Sequence, residues 1–254
     1  NEGAIKLCRR YSRDKFGPGR YKIICAENSF HGRTLATLSA TGQPKFWEGF
    51  EPLLPGFAFV PFGDLEAAAA AIDATTCAIL VEPIQGEGGV RLPNPGYLPG
   101  LRELCDRHEL LLVLDEIQVG LGRTGRLFAY EHYNIEPDIL TLAKALGNGL
   151  PIGAVLAKKE VAAAFVPGSH ASTFGGGPVV TAAANTVLEI LAQPEFLAEV
   201  REKGSYFLNG LMELHQRHSI VKEVRGLGLI LGLELDGDGV PLVAACRERG
   251  ALIN

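Results

Sequence analysis

Leu111-Leu112-Val113-Leu114-Asp115-Glu116-Ile117-Gln118, followed by Asp138-Ile139-Leu140-Thr141-Leu142-Ala143-Lys144, is the stretch of this chain that decides its fold. Each half is a short apolar run, one delivering a carboxylate and the other a lysine at its C-terminal end. Continuous runs of this kind read as strands covered on both faces, as in a parallel sheet. In open α/β sheets, ligands bind outside the carboxyl ends of the strands. The pair therefore offers an acid for a ring nitrogen and an amine for a carbonyl, a combination that suits a pyridine aldehyde cofactor. The plain alternatives are a carboxylate that only caps a helix and a lysine that is only solvated surface. Each is the better reading of one residue alone; the motifs around them favour the chemical reading of both.

Outward from these runs, strand-like and helical patterns alternate, which predicts a parallel sheet with crossover helices. Expected strands are Tyr21–Ala26, Phe57–Pro61, Cys77–Val81, Leu110–Leu114, Ile139–Leu142 and Gly153–Ala157. Asp64 caps an alanine-rich helix over Leu65–Ile72. Leu98–Glu109 places Leu98, Leu101, Leu104 and Cys105 on one helical face. Beyond Pro178 a helix runs to Leu191, and a long amphipathic one follows Gln193-Pro194 and ends near His218. A glycine-spaced strand over Leu227–Leu235 and a helix near Val240–Arg249 then change the rhythm. The proline break near residue 192 divides a large α/β domain, 1–192, from the start of a smaller α+β domain, 193–254.

The 254 residues are 47% hydrophobic, enough for a large core. A net charge of −5 with interspersed signs offers no basic patch, which argues against a nucleic-acid partner. The five cysteines form no C-x-x-C pair, so neither a disulfide framework nor a zinc site is indicated, and a reducing cytosol is the simplest setting. No apolar run approaches the roughly 18 residues of a membrane span. The chain starts without methionine inside a helical pattern and stops where a strand is beginning, so we expect an internal stretch of a longer protein.

Behind Lys144, Gly147-Asn148-Gly149-Leu150-Pro151 permits a sharp turn, so the amine faces a cleft, where desolvation makes it a better nucleophile. Asn28-Ser29-Phe30-His31-Gly32-Arg33-Thr34 follows the first strand; Phe30 could stack on a flat ring and Arg33 could grip a carboxylate, or the pair is an ordinary core aromatic with a surface arginine. Val81-Glu82-Pro83-Ile84-Gln85-Gly86-Glu87-Gly88-Gly89 carries two carboxylates in a glycine-rich loop, whose plain reading is a pair of solvated acids. His170-Ala171-Ser172-Thr173-Phe174-Gly175-Gly176-Gly177-Pro178 sets hydroxyls and glycines before a helix, a loop able to hold a phosphate or simply to start that helix. Gly120-Leu121-Gly122-Arg123-Thr124-Gly125 fits G-x-G-x-x-G, but five residues separate it from the strand and no strong helix opens after it, so a dinucleotide site is rejected. The six histidines show no metal spacing and read as surface or hydrogen-bonded residues.

In this order, the motifs resemble the class III aminotransferases of the pyridoxal-phosphate fold type I group, over essentially the whole chain and with the acetylornithine branch nearest. The specific part is Asp115, Gln118 and Lys144 within residues 114–154. The resemblance implies pyridoxal 5'-phosphate as cofactor, bound covalently by Lys144, which then shuttles the proton between substrate and cofactor. It assigns Asp115 to the pyridine nitrogen, Gln118 to the neighbourhood of the phenolic oxygen, and Phe30 and Ile117 to the two ring faces. Arg33 takes the substrate α-carboxylate, Ser172 lies on the substrate side, and Glu87 is a gate that pairs with an arginine beyond this stretch. Thr173 reaches the phosphate in the neighbouring subunit of a homodimer. The implied reaction moves the terminal amine of N-acetylornithine to 2-oxoglutarate. Ornithine, succinylornithine, 4-aminobutyrate or lysine-pathway donors are the alternatives, with a non-catalytic homologue behind them. The family's small-residue phosphate turn would precede Asn1, and Gly177 stands where the family usually has asparagine, which weakens the following cap by a few tenths of a kcal/mol.

Overall fold

Successive residues of a strand point to opposite faces, and here both faces are covered. Ile24, Ala26, Ile79, Val81, Leu112, Leu114, Leu140 and Leu142 pack on one side of the sheet, against Leu98, Leu101, Cys105 and Ala184. Ile23, Cys25, Ala78, Leu80, Leu111, Val113 and Ile139 pack on the other, against Ala4, Ile5, Leu7 and Cys8. Every residue of these runs is therefore buried, and the sequence reads as continuous apolar stretches without alternation.

The computed structural model describes all residues, 1–254. The strands are β1 (Lys22–Ala26), β2 (Phe57–Val60), β3 (Thr76–Val81), β4 (Leu111–Asp115), β5 (Ile139–Leu142) and β6 (Ala154–Ala157). All six lie where the sequence places them. They form one sheet in the order β2-β1-β3-β4-β5-β6, parallel throughout except for β6, which runs antiparallel to β5. The α/β class with a mainly parallel sheet is thus established.

Helices α3 (Leu65–Ala70) and α4 (Tyr97–His108) supply the crossovers between β2, β3 and β4, and α1 (Glu2–Phe16) covers the opposite face. Asp64 caps α3 as expected, its Oδ1 accepting from Ala67 N at 2.9 Å. The short helices α2 (Leu35–Ala40) and α5 (Lys159–Ala162) are not evident in the sequence pattern. Beyond the sheet come α6 (Pro178–Leu191) and α7 (Pro194–Arg217), then β7 (Val221–Leu227), β8 (Ile230–Leu235) and α8 (Val240–Glu248).

One element differs from expectation. The single strand over Leu227–Leu235 is instead the turn and second arm of an antiparallel hairpin, β7–β8, separate from the main sheet. Gly228, at φ +59, makes the turn and rests on the backbone of Arg123 and Thr124, where a Cβ would lie 2.7 Å from main-chain atoms. The glycine spacing that looked like an irregular strand marks a reversal under close backbone contact.

Candidate active site

The chain passes from β1 outward to β2 and then crosses back to β3, so neighbouring loops leave the carboxyl ends of β1 and β3 in opposite directions. A crevice at such a reversal is the expected ligand site of an open parallel sheet. Loops after β1, β3, β4 and β5 bring Phe30 and His31, Glu82 and Glu87, Asp115 and Gln118, and Lys144 to this edge.

Asp115 ends β4 and pairs in register with Thr141 of β5. Its carboxylate is buried. Oδ1 accepts from Ile117 N at 3.1 Å, and Oδ2 accepts from Asn1 Nδ2 at 2.6 Å. His31 Nδ1 lies 2.8 Å from the same Oδ2. Asn1 is itself fixed, accepting from Thr141 Oγ1 and donating to the His31 carbonyl. Burial works to raise the carboxyl, but the hydrogen bonds from His31, Asn1 and Ile117 outweigh it and hold Asp115 below the usual carboxylate range. A buried carboxylate held as an anion is chemically suited to a protonated ring nitrogen.

Lys144 follows Thr141 by three residues and opens a 3₁₀ turn over Lys144–Gly147. Its backbone is left-handed, at φ +43, and Asn148 closes the turn at φ +45. Leu146 anchors the turn in the core beside Ala184 of α6. The Lys144 side chain is exposed, which corrects the expected desolvation: the amine stands in a wide cleft of about 960 Å³ whose lining includes Glu87, Ile117, Gln118 and Arg225.

Gln118 Nε2 donates to Glu87 Oε1 at 3.4 Å. Gly86 leaves it room; a Cβ there would overlap Gln118 Oε1. Glu87 is exposed, as a loop acid should be, but Glu82 is buried, contrary to the solvated reading of that pair. Glu82 follows β3 directly, and its oxygens accept from Phe30 N at 3.1 Å and Gly86 N at 3.3 Å. Burial first, and the Asp115 charge second, push it up to about 8.

Phe30 is half-buried and meets Phe46 edge-on at 5.7 Å between centroids. The Arg33 guanidinium stacks over Phe46 at 4.1 Å and lies 5.4 Å from the Phe30 ring centre. It thus sits on aromatic rings beside Phe30 and does not line the cleft. Ser172 and Thr173 stand on an exposed loop and do not line the cleft either. Gly177, which starts α6, provides no side-chain cap, in keeping with the weaker cap expected there.

The structure therefore gathers Asp115, Ile117, Gln118, Glu87 and Lys144, keeps Phe30 and Arg33 adjacent, and leaves Ser172 and Thr173 apart. It adds His31, Glu82 and Asn1, which sequence reasoning passed over. The signal for Glu82 was available, since it extends a buried run just as Asp115 does. A buried carboxylate kept ionised, an accessible amine in the turn after the next strand and an aromatic neighbour fit a protonated heteroaromatic aldehyde.

Comparison with known proteins agrees with this chemistry. The chain is 53% identical over 255 residues to the acetylornithine aminotransferase of Caldanaerobacter subterraneus, covering 100% of this chain and 65% of that protein. It is 51% identical over 256 residues to the succinylornithine transaminase of Photorhabdus laumondii, covering 99% and 64%. Among solved structures, the ornithine aminotransferase of Toxoplasma gondii superposes with a TM-score of 0.94 at 38% identity, covering 99% of this chain and 62% of that one. The chain thus spans less than two thirds of the length of these relatives, 62 to 65%. The family profile Aminotransferase class-III matches residues 1–254, and the chain belongs to that family.

Proposed function

We propose that this protein is a pyridoxal 5'-phosphate-dependent transaminase that moves the terminal amino group of N-acetylornithine to 2-oxoglutarate, giving N-acetylglutamate semialdehyde and glutamate for arginine biosynthesis. The observation that carries the reading is the juxtaposition of an ionised, buried Asp115 and an accessible Lys144 at the carboxyl ends of adjacent strands. Similarity to acetylornithine aminotransferases supports the choice of donor.

When bound, the cofactor supplies an aldehyde for amine capture and a ring that withdraws electrons. Asp115 would hold the cofactor by its ring nitrogen, and Lys144 would hold it through Nζ within reach of the donor amine. The same Nζ would serve as the base that moves the proton at the donor carbon. Phe30, Ile117 and Gln118 would complete the holding set, the first two through apolar contact and the third through its amide. Arg33 would leave Phe46 to take the donor α-carboxylate, whereas Ser172, apart from this chain's cleft, would reach a substrate only with Thr173 in the second copy. Glu87 places negative charge at the mouth of the cleft, favouring a cationic donor and opposing a dicarboxylate until it is neutralised. Thr173 serves the phosphate of a second copy, in a cytoplasmic homodimer whose chain divides near residue 192.

Borohydride reduction of the whole protein with the cofactor, followed by peptide mass mapping, tests the assignment. A phosphopyridoxyl group on Lys144, and loss of turnover in Lys144→Ala, are the expected results; ordinary activity in that variant would refute it. The 51% identity to a succinylornithine transaminase favours succinylornithine as second donor, and comparison of kcat/KM for the two donors decides between them.

A further inference from the structure

We infer that His31 is a positioning residue for this site, fixing the orientation and ionised form of Asp115 through one Nδ1–H bond. The inference rests on the role proposed above for Asp115 and adds a residue that role does not contain. His31 is buried, and its side chain is completely closed to solvent. Nδ1 stands 2.8 Å from Asp115 Oδ2. An ionised carboxylate only accepts, so the hydrogen belongs to Nδ1. Nε2 is buried with no partner. A proton there would be a buried donor without an acceptor, so the structure assigns the neutral Nδ1–H tautomer.

The ring is not free to turn away. The His31 backbone N–H donates to Thr41 Oγ1 at 2.9 Å, and its carbonyl accepts from Asn1 Nδ2 at 2.8 Å. Gly32, at φ +137, lets the chain leave without a Cβ, which would lie 2.6 Å from Thr37 Oγ1. The groups facing Asp115 come from several elements: His31 after β1, Glu82 after β3, Glu116 and Ile117 N after β4, and the side chain and α-amino group of Asn1 at the start of α1. Glu82, raised by its own burial and by Asp115, is the group that takes up a proton as pH falls toward 8, while Asp115 stays ionised. Asp115 receives three donors from the protein, at Ile117, Asn1 and His31. A carboxylate offers about four lone-pair sites, which leaves one for the ring N–H.

Asparagine and glutamine separate this role from simple packing. An asparagine amide can occupy the place of Nδ1, whereas a glutamine amide falls near the place of Nε2. In the whole protein, His31→Asn should keep kcat within a few-fold of wild type. His31→Gln should lower kcat about ten- to a hundredfold, the usual cost of removing a group that orients a functional ligand, with KM for the amine donor little changed. With ¹⁵N-labelled pyridoxal phosphate, the ring-nitrogen shift should move from pyridinium toward neutral pyridine in His31→Gln only. Wild-type kcat and shift in His31→Gln, or equal losses in both variants with no change in shift, would overturn the inference. Histidine ¹⁵N spectra of the wild-type protein free of cofactor need no variant: they should show His31 protonated on Nδ1, and an Nε2–H tautomer would overturn it as well. Borohydride labelling separates the two readings. If wild-type Lys144 takes the label and His31→Gln behaves as wild type, only the role of His31 falls; if Lys144 takes none, the proposed function falls.

Discussion

Asp115, Glu82 and Glu116 are three buried carboxyls within one edge of the sheet, and their environments push them apart. Glu116 accepts from Ala129 N and Tyr130 N, yet burial outweighs those bonds and raises it to about 7. Glu82 stands at about 8, whereas Asp115 is lowered. The sign of the linkage follows. From the ordinary 4.5 up to about 8, folded Glu82 binds a proton that the unfolded chain has released, so its contribution declines as pH rises through that window. Asp115 works oppositely: its contribution is present above its ordinary 3.8 and is lost as pH falls through its lowered folded value. We predict that the urea midpoint declines between pH 5 and 8 and that Glu82→Gln flattens that slope, while costing about 1–3 kcal/mol overall because one of two buried N–H donors loses its acceptor. For Asp115→Asn we predict a kcat lower by about two orders of magnitude with the cofactor still bound, read by steady-state kinetics and the cofactor absorbance. At this scale the sequence displayed Asp115 and Lys144 because each ends a buried run. It concealed His31, since nothing in Phe30-His31-Gly32-Arg33 says which side chain turns inward; that depends on Asn1 and Thr41, distant in sequence or in a separate turn.

Strands β1, β3, β4 and β5 were legible because burial on both faces leaves them mainly apolar, with Lys22, Thr76 and Asp115 falling at their ends. The hairpin β7–β8 was not, because its turn is dictated by contact with Arg123 and Thr124 rather than by local turn chemistry. Short helices such as α2 lack a full apolar repeat, and neither cap was obvious; α2 is held by Glu2, whose Oε1 accepts from Ala36 N and Thr37 N. The turn after β3 is built on glycine for a steric reason. Gly86→Ala would drive a methyl group into Gln118, so we predict that it displaces Gln118 and lowers kcat at least severalfold, while the far-ultraviolet circular dichroism stays that of the wild type. Unchanged kinetics would show that Gln118 moves without consequence.

Across the whole molecule, the hairpin is fastened to the active-site edge by a small charge network. Arg225 of β7 donates to the carbonyls of Gly89 and Val90, at 2.7 and 3.1 Å, and to Glu223 and Glu234. Arg91 reaches the same two carboxylates. The surface arms of this network are worth little by themselves, but the Arg225 side chain is only 13% exposed and holds two carbonyls of the turn that carries Glu87. We predict that Arg225→Ala destabilises the fold by about 1.5–3 kcal/mol and speeds amide exchange over Gly86–Val90 together with β7, as read by hydrogen-exchange mass spectrometry. Faster exchange in β7 alone would separate the turn from the hairpin.

One rung of the sheet, Asp115 opposite Thr141, governs the reach between acid and amine. Neighbouring strands lie about 4.8 Å apart, and Lys144 comes only three residues beyond that rung. The ladder is thus a ruler for the chemistry, completed only by the short turn that carries Lys144. Phe30, Arg33 and Glu87, by contrast, ride on the connections after β1 and β3, which can be rebuilt around His31 and Glu82 without touching the ruler. Reaction and preference are separable parts of this protein: grafting those two connections from a relative, with His31 and Glu82 kept, should retarget the donor while the proton transfer machinery travels unaltered.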